Sequence, residues 1–319
     1  MAERALITGA DGFVGRHLAA HLREQGVEVL GLGLHPPQDP SAWERCRYEV
    51  CDVLDRDTLL RRVGEFMPHY VFHLAAQSSV RRSWEEPRLT YEIALQGQDN
   101  VFGALRECGL DAVVHVACSA EEYGHVEEDE LPLTEEHPLR PASPYALSKV
   151  MQEFHASFCH RVYGTRVVVT RAFNIIGPGQ SPEFVASDFA RQIAEAEVGR
   201  REPVIRVGNL EARRDFSDVR DLAGVFWLLV RKGAPGGVYN VCSGSDRAIH
   251  EILDILLSLG KIPIKVEVDP GKLRPADIPV LRGDNRRLRE ATGWSPSIPL
   301  ERTLEDLLRW WRDEVARGA

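Results

Sequence analysis

Thr8-Gly9-Ala10-Asp11-Gly12-Phe13-Val14-Gly15 places three glycines at intervals of three residues, directly after the apolar run Arg4–Thr8. That run predicts a buried strand, and the residues from Phe13 to about Gln25 have the period of a helix. Glycines between a strand and a helix allow a tight turn and let a pyrophosphate approach the backbone N–H groups of the helix N-terminus. The stretch therefore predicts a dinucleotide-binding loop, to which Gly9, Gly12 and Gly15 contribute most.

Short apolar runs alternate with helical stretches through the first half of the chain. The other strand-like runs of this half cover residues 27–32, 47–51, 70–75, 112–117 and 165–171. Runs that are apolar throughout indicate strands covered on both faces, so we predict an α/β fold with a Rossmann-type, doubly wound parallel sheet.

The pattern becomes irregular after Arg171. We expect a loop over 174–182, a helix over 188–198, a strand over 204–207 and mostly short helices near the C-terminus. The prediction is a smaller, interleaved α/β substrate-binding part made of residues 172–216 and 243–319. Residues 1–171 are expected to form the dinucleotide-binding domain, which 217–242 rejoin.

Composition excludes several classes of protein. The formal net charge is −9, which argues against broad binding to nucleic acid or to an anionic membrane. The longest apolar run, residues 222–230, is too short to span a bilayer. The six cysteines show no CxxC spacing, and His17 and His21 lack a third ligand nearby, so we expect no metal site. Unpaired cysteines and the absence of a signal peptide favour the cytoplasm.

The second strand decides which dinucleotide is expected. Its end, Leu32-Gly33-Leu34-His35, lacks the carboxylate that holds the ribose 2′-hydroxyl of NAD. Arg16 and His35 are placed to meet a 2′-phosphate, so the sequence favours NADP(H), with NAD(H) as the alternative. Asp52 and Val53, after the third strand, are expected near the adenine, although Asp52 fits a turn or helix cap equally well.

A Tyr and a Lys four residues apart share one face of a predicted helix, at Tyr145 and Lys149. An ammonium near a phenol stabilises the phenolate and is expected to lower the pKa of Tyr145. The chain holds 34 Arg and only 5 Lys, which makes a Lys at this position more informative. Ser119, at the end of the strand 112–117, is expected to reach the same crevice and to hydrogen-bond a substrate oxygen.

Five motifs, TGADGFVG (8–15), HLAAQSSV (73–80), SAEEYG (119–124), SPYALSK (143–149) and RAFNIIGPGQ (171–180), together resemble the extended short-chain dehydrogenases/reductases that modify nucleotide sugars. The resemblance covers essentially the whole chain. Stretches such as PVIRVGNLEARRDFSDVRD (203–221) and YNVCSGS (239–245) are similar to the members that reduce GDP-4-keto-6-deoxy-D-mannose to GDP-D-rhamnose with NADPH. GDP-mannose 4,6-dehydratases are related to the same stretches.

The resemblance implies roles for individual residues. Tyr145 becomes the proton donor, Lys149 its partner and Ser119 a second hydroxyl on the same oxygen. The implied cofactor contacts are Gly9, Asp11, Gly12, Phe13, Val14, Gly15, Arg16, His35, Asp52, Val53, Leu74, Ala75, Ala76, Tyr145 and Lys149. The implied contacts to a GDP-sugar are Gln77, Ser119, Asn174, Asn209, Arg214 and Arg274, although surface ion pairs remain the alternative for the two arginines.

Several functions stay open at the level of the sequence. Dehydratases of this family use a carboxylate at the position of Glu121, but rhamnose-type reductases also carry one. A GDP-mannose 4,6-dehydratase and a 4-epimerase, both of which recycle their cofactor, are therefore alternatives to the reductase. A non-catalytic dinucleotide sensor is disfavoured because Ser119, Tyr145 and Lys149 are all present. By analogy with the family, we expect a homodimer formed through the helices at 89–108 and 143–163.

Overall fold

A seven-stranded parallel sheet forms the centre of the molecule in the computed structural model, which describes residues 2–272 and 279–318. The spatial order of its strands is β3-β2-β1-β4-β5-β6-β10. These strands are β1 (Arg4–Thr8), β2 (Glu28–Gly33), β3 (Arg47–Val50), β4 (Tyr70–His73), β5 (Val113–Ser119), β6 (Arg166–Ala172) and β10 (Val238–Val241). The predicted Rossmann-type sheet is confirmed.

Helices cover both faces of this sheet, and each face has its own apolar core. On one face the core includes Leu18, Leu22 and Phe226, and on the other Leu59, Val101 and Ala156. The helices of this half are α1 (Phe13–Glu24), α2 (Arg56–Phe66), α3 (Val80–Glu85), α4 (Pro87–Glu92), α5 (Gln98–Glu107), α6 (Pro144–Tyr163) and α8 (Val219–Lys232). Burial of both strand faces explains the continuous apolar runs of the sequence.

The start of α6 is fixed by its sequence. The Ser143 hydroxyl accepts a hydrogen bond from the N–H of Ala146 at 3.0 Å, and Pro144 occupies the first turn, where no intrahelical donor is needed. The backbone N–H of Tyr145 donates to the hydroxyl of Ser83 on α3, at 3.1 Å. The first turn of α6 is thereby held at the carboxyl edge of the sheet.

The rest of the chain builds two small sheets and a third core. The strands are β7 (Asn174–Ile176), β8 (Val204–Val207), β9 (Arg213–Asp218), β11 (Asp246–Ala248), β12 (Lys265–Val268) and β13 (Val280–Leu281). The helices are α7 (Val185–Glu197), α9 (Ile249–Ser258), α10 (Arg286–Thr292) and α11 (Leu300–Arg317). Strand β9 pairs with β7, β11 and β13, whereas β8 pairs with β12. The division of the chain into a dinucleotide domain and a substrate part stays a prediction.

Two expectations for this region are wrong. The stretch 174–182 is not entirely loop, because Asn174–Ile176 pairs with β9, beginning with Asn174 opposite Phe216. The C-terminal region does not consist of short helices only, since α11 has 18 residues. Its buried face, which includes Leu304 and Leu308, packs in the third core with α7. Both elements depend on partners distant in the chain, which local patterns do not show. Across the described residues, no helix is long and apolar enough to cross a membrane.

Candidate active site

The loop between β1 and α1 is a cradle made of backbone. Gly9 has φ +67°, and a Cβ added there would lie 2.8 Å from the nitrogen of Ala75, beyond the end of β4. A Cβ on Gly15 would overlap the carbonyl of Ala10. Within the described part of the chain, no side chain caps the N-terminus of α1, which begins after Gly12. The N–H groups at this helix end are open, and the glycines stand where a Cβ would collide with neighbouring backbone. Both features suit the loop to binding a pyrophosphate.

Asp11 brings a carboxylate into this loop, between Ala10 and Gly12. Its Oδ2 accepts a hydrogen bond from the N–H of Gln38 at 3.0 Å, which ties the loop to the segment after β2. Its Oδ1 is buried and has no hydrogen-bond partner among the residues that the structure describes. Arg16, in the first turn of α1, donates to the carbonyl of Gly179 at 3.3 Å, and His35 is exposed just past β2.

Tyr48 lies in front of the end of β2, where the sequence has no carboxylate. A Cβ on Gly33 would overlap the hydroxyl of Tyr48, which donates to the carbonyl of His35 at 2.7 Å. A side chain at residue 33 would therefore require Tyr48 to move.

The remaining predicted cofactor residues lie after β3 and β4, at the same edge of the sheet. Asp52 accepts a hydrogen bond from the N–H of Leu54 at 2.9 Å, so it is a turn residue, and the α2 cap is Asp55. Val53 is buried. Leu74, Ala75, Ala76 and Gln77 follow β4 and are partly buried. The N–H of Leu74 donates to Thr8, which holds this segment against the glycine loop.

Ser119, Tyr145 and Lys149 come together where β5 and α6 meet. Ser119 ends β5 and is 8% exposed, and its hydroxyl lies close enough to the Tyr145 phenol to lower the pKa of that phenol. Lys149 Nζ lies 5.9 Å from the centre of the Tyr145 ring and donates to the Ala117 carbonyl and to Gln152 Oε1, each at 2.8 Å. The cluster opens onto the same edge of the sheet as the glycine loop.

One expectation for this cluster is wrong. Burial raises the pKa of the Tyr145 phenol above its ordinary value, although the nearby Ser119 hydroxyl acts in the opposite direction. Burial likewise lowers the pKa of Lys149. The ammonium is directed at Ala117 and Gln152, so desolvation outweighs its effect on the phenol. Tyr145 is consequently a protonated phenol, which is the form that donates a proton.

Glu121 and Glu122 follow Ser119 on a short 3-10 turn, Ala120–Tyr123, and their environments differ. Glu121 is partly buried, and its charge acts on Tyr145. Glu122 is fully buried, and its Oε1 accepts a hydrogen bond from the N–H of Ser119 at 3.0 Å. Beneath Glu122, Arg171 makes two hydrogen bonds to Glu153, at 2.6 and 2.8 Å.

The predicted substrate residues are spread over the second half of the chain. Asn174 begins β7, and Arg214 lies on β9, the strand that pairs with β7. Arg214 donates to the carbonyl of Arg213 at 2.8 Å, and Asn209 accepts from the N–H of Glu211 at 3.0 Å in the preceding turn. Arg274 falls outside the described residues. No described contact joins Asn209 or Arg214 to Ser119 or Tyr145.

Sequence reasoning missed the buried group below Ser119. Glu122, Glu153 and Arg171 come from a turn, a helix and a strand, and spacing along the chain does not bring them together. The available signal was an Arg at the end of the apolar run Val167–Thr170, since a buried charge requires a partner.

Comparison with known proteins supports the resemblance. The sequence profile of the GDP-mannose 4,6 dehydratase family matches residues 6–307. GDP-6-deoxy-D-mannose reductase of Pseudomonas aeruginosa is 35% identical over 322 residues, covering 99% of each chain. The structure of RMD from Pseudomonas aeruginosa complexed with NADPH has a TM-score of 0.85 and 33% identity, covering 98% of this chain and 100% of that one. The structure of Thermus thermophilus UDP-glucose 4-epimerase complexed with NAD has a TM-score of 0.87 and 28% identity, covering 99% of each chain. The chain belongs to the GDP-mannose 4,6 dehydratase family, among the nucleotide-sugar-modifying extended short-chain dehydrogenases/reductases.

Proposed function

We propose that this protein reduces the 4-keto group of GDP-4-keto-6-deoxy-D-mannose with NADPH and forms GDP-D-rhamnose. The observation that carries the proposal is the Ser119–Tyr145 pair, a protonated phenol and a hydroxyl at the edge where the glycine loop lies. Similarity over nearly the full length to the Pseudomonas GDP-6-deoxy-D-mannose reductase supports the choice of substrate.

Tyr145 donates its proton to the sugar oxygen at C4, and Ser119 donates a hydrogen bond to the same oxygen. A bound nicotinamide supplies the hydride that this carbon receives. Because negative charge develops on the oxygen during the transfer, two donors fixed in a water-poor site lower the barrier. Lys149 then stabilises the phenolate that Tyr145 becomes, and solvent returns the proton.

The proposed cofactor is NADP(H), with NAD(H) as the alternative. Gly9, Gly12, Phe13, Val14 and Gly15 form the cradle for the pyrophosphate, while Arg16 and His35 are the proposed contacts for a 2′-phosphate. Gly33 stands at the end of β2 with Tyr48 in front of it, and the lack of a carboxylate there removes the main repulsion against a 2′-phosphate. Asp11 favours NAD(H), because its buried Oδ1 is a suitable acceptor for a ribose hydroxyl.

Asp52, Val53, Leu74, Ala75 and Ala76 complete the proposed cofactor site along the sheet edge. Gln77, Asn174, Asn209, Arg214 and Arg274 are the proposed contacts for the GDP-sugar. An arginine binds a diphosphate with two parallel hydrogen bonds, which suits Arg214 to this role.

The test is a panel of nucleotide sugars in which NADPH oxidation is followed and products are identified. GDP-4-keto-6-deoxy-D-mannose is expected to oxidise NADPH and to yield GDP-D-rhamnose. GDP-mannose without added NADPH is expected to remain unchanged. No NADPH oxidation with the keto sugar would contradict the proposal.

GDP-mannose 4,6-dehydratase activity is a second candidate, and Glu121 is the observation that favours it. Its carboxylate acts on Tyr145 electrostatically, as expected of a base placed to remove a proton from the same sugar ring. In the panel, conversion of GDP-mannose to its 4-keto-6-deoxy form without added cofactor, together with loss of that activity in Glu121→Gln, would establish the dehydratase.

We also propose that the protein is a homodimer and acts in the cytoplasm. Helix α6 exposes an apolar face: Phe154 is 63% exposed, Val162 58% and Phe158 43%, whereas Ala146 is buried. Such a stripe indicates an interface when it remains uncovered in the single chain. The six cysteines, which are all free thiols, suit a reducing compartment.

Molar mass in solution tests the dimer. The double variant Phe154→Glu/Phe158→Glu is expected to run as a monomer, because four introduced charges would face each other across a two-fold interface. Val268→Glu is the matched control, since Val268 is an equally exposed apolar residue on β12. A wild-type monomer would contradict the proposed dimer.

A further inference from the structure

A buried acidic group is hydrogen-bonded to the backbone of Ser119. Glu122 has no exposed surface, and its Oε1 accepts the hydrogen bond from the Ser119 N–H. Its Oε2 is buried as well and accepts no hydrogen bond from any described residue. A carboxylate in that position would leave an uncompensated buried charge, which is strongly unfavourable.

Every element packed around Glu122 contributes a titratable or charged group. β5 contributes Cys118, and α6 contributes Tyr145, Lys149 and Glu153, while Glu121 and Tyr123 flank Glu122 on its own turn. β6 contributes Arg171, whose Nε lies 3.7 Å from Glu122 Oε2.

Arg171 hydrogen-bonds only one of the two buried carboxyl groups, and it approaches Glu122 no nearer than 3.7 Å. Its guanidinium is committed to Glu153 through two short hydrogen bonds, and its third nitrogen donates to the Tyr123 hydroxyl at 2.9 Å. Lys149, the other cation, is directed at Ala117 and Gln152. A carboxylate at Glu122 would therefore be buried with no donor on its Oε2, and a proton on Glu122 removes that charge.

The pKa of Glu122 agrees with this arrangement. Burial, followed by the charge of Glu153, raises the pKa of Glu122 to about 8. At neutral pH the group is then a neutral acid, with a carboxyl oxygen of Glu153 within 4.8 Å of one of its own.

A metal ion is the competing explanation for this cluster. Ligand atoms of Cys118, Glu122 and Glu153 lie within 4.8 Å of one another. Arg171 already places a cation among them, and burial raises the pKa of the Cys118 thiol, so the thiolate that a metal requires is disfavoured. The geometry thus favours a proton over a metal ion.

We propose that Glu122 is a positioning residue, held as a neutral acid between Ser119 and the Glu153–Arg171 pair, and that its ionisation weakens Tyr145 as a proton donor. An anion there favours the protonated forms of both Tyr145 and Lys149. Since the reduction needs Tyr145 to release its proton, the neutral acid is the active form. This catalytic half of the inference rests on the proposed reductase function, whereas the buried proton itself does not.

Thermal unfolding as a function of pH tests the buried proton without any substrate. A carboxyl with a raised pKa binds its proton more tightly in the folded state, so the chain loses stability as pH rises from the unfolded value to the folded one. Glu122→Gln mimics the neutral acid and escapes this loss. The midpoint of Glu122→Gln minus that of wild type is expected to increase from about pH 4.5 to about pH 8 and to stay constant above.

Glu128→Gln is the matched control, because Glu128 is an exposed residue of the neighbouring turn. Its difference from wild type is expected to be independent of pH. A constant or decreasing difference for Glu122→Gln would overturn the buried proton, because it would mean that Glu122 is ionised at neutral pH. Stoichiometric metal in the wild type that is lost in Glu122→Gln would overturn it too.

The pH profile of kcat tests the catalytic half. Wild type is expected to lose activity several-fold above an apparent pKa of about 8, and Glu122→Gln is expected to stay within about two-fold over the same range. The same alkaline decrease in both proteins would overturn the catalytic link. Absence of turnover in both proteins would refute the proposed reductase activity. The unfolding experiment would still test whether Glu122 carries a proton at neutral pH.

If Glu122→Gln does not fold, the infrared spectrum of the wild type tests whether Glu122 is protonated. The carbonyl stretch of a protonated carboxyl group is expected at neutral pH and should vanish as the pH is raised past about 8. Its absence at neutral pH would overturn the proposal.

Discussion

The glycine loop and the Ser119–Tyr145 cluster lie at the same edge of one sheet, but they are built differently. The shape of the loop depends on the absence of side chains, because a Cβ on Gly9 or Gly15 would collide with neighbouring backbone. The cluster depends on burial and charge, because desolvation and then the charge of Glu121 hold the proton on Tyr145. The difference predicts that substitutions in the loop affect binding, while substitutions in the cluster affect turnover.

The largest effect should come from Tyr145→Phe, which removes the proton donor but little volume. Turnover is expected to fall by about 10²- to 10⁴-fold, the usual contribution of a positioned general acid. NADPH binding, measured by quenching of protein fluorescence, should change little. A variant that binds NADPH poorly but turns over normally would reverse the comparison between the two regions.

Gly9→Ala should have the opposite effect, a loss of cofactor binding that exceeds any loss of turnover. A left-handed backbone and contacts at 2.8–2.9 Å with Leu74 and Ala75 make alanine strained at this position. A cost of about 1–3 kcal/mol would weaken cofactor binding by roughly five- to 150-fold, measured as Kd.

Gly26→Ala is the control that separates backbone strain from a collision between the new Cβ and neighbouring atoms. Gly26 also has a left-handed φ, +75°, but a Cβ there would meet nothing within 4 Å. Its unfolding free energy should fall by about 1 kcal/mol, and its cofactor affinity should stay at the wild-type value. Equal losses of affinity in both variants would show that space in the cradle is not the cause.

The smallest expected effect belongs to Asp11, the single acidic side chain between Gly9 and Gly15. Asp11→Asn removes a negative charge but keeps an acceptor for the N–H of Gln38. The ratio of kcat/KM for NADPH to that for NADH should rise a few-fold, since one charge at partial exposure contributes about 1 kcal/mol or less. A fall in that ratio would contradict the proposed position of Asp11 near the ribose.

The sequence predicts the two regions unequally for a physical reason. A glycine loop is a local property of consecutive residues, so TGADGFVG indicates it directly. Tyr145 and Lys149 are similarly local, being one helical turn apart. The pKa of Tyr145 was predicted in the wrong direction because burial and the direction of the Lys149 ammonium depend on tertiary packing. Glu122, Glu153 and Arg171 meet only through the fold, as do the strands β7 and β9.

Tyr48 imposes a constraint on how cofactor preference can change by mutation. Its hydroxyl occupies the space in front of Gly33, so an acid introduced there alone would collide with it. Removing Tyr48 alone would break the hydrogen bond to the carbonyl of His35 and part of the packing on Trp43. An acid at the end of β2 therefore involves residue 48 as well as residue 33, and the double substitution Gly33→Asp/Tyr48→Ala is expected to be better tolerated than Gly33→Asp alone.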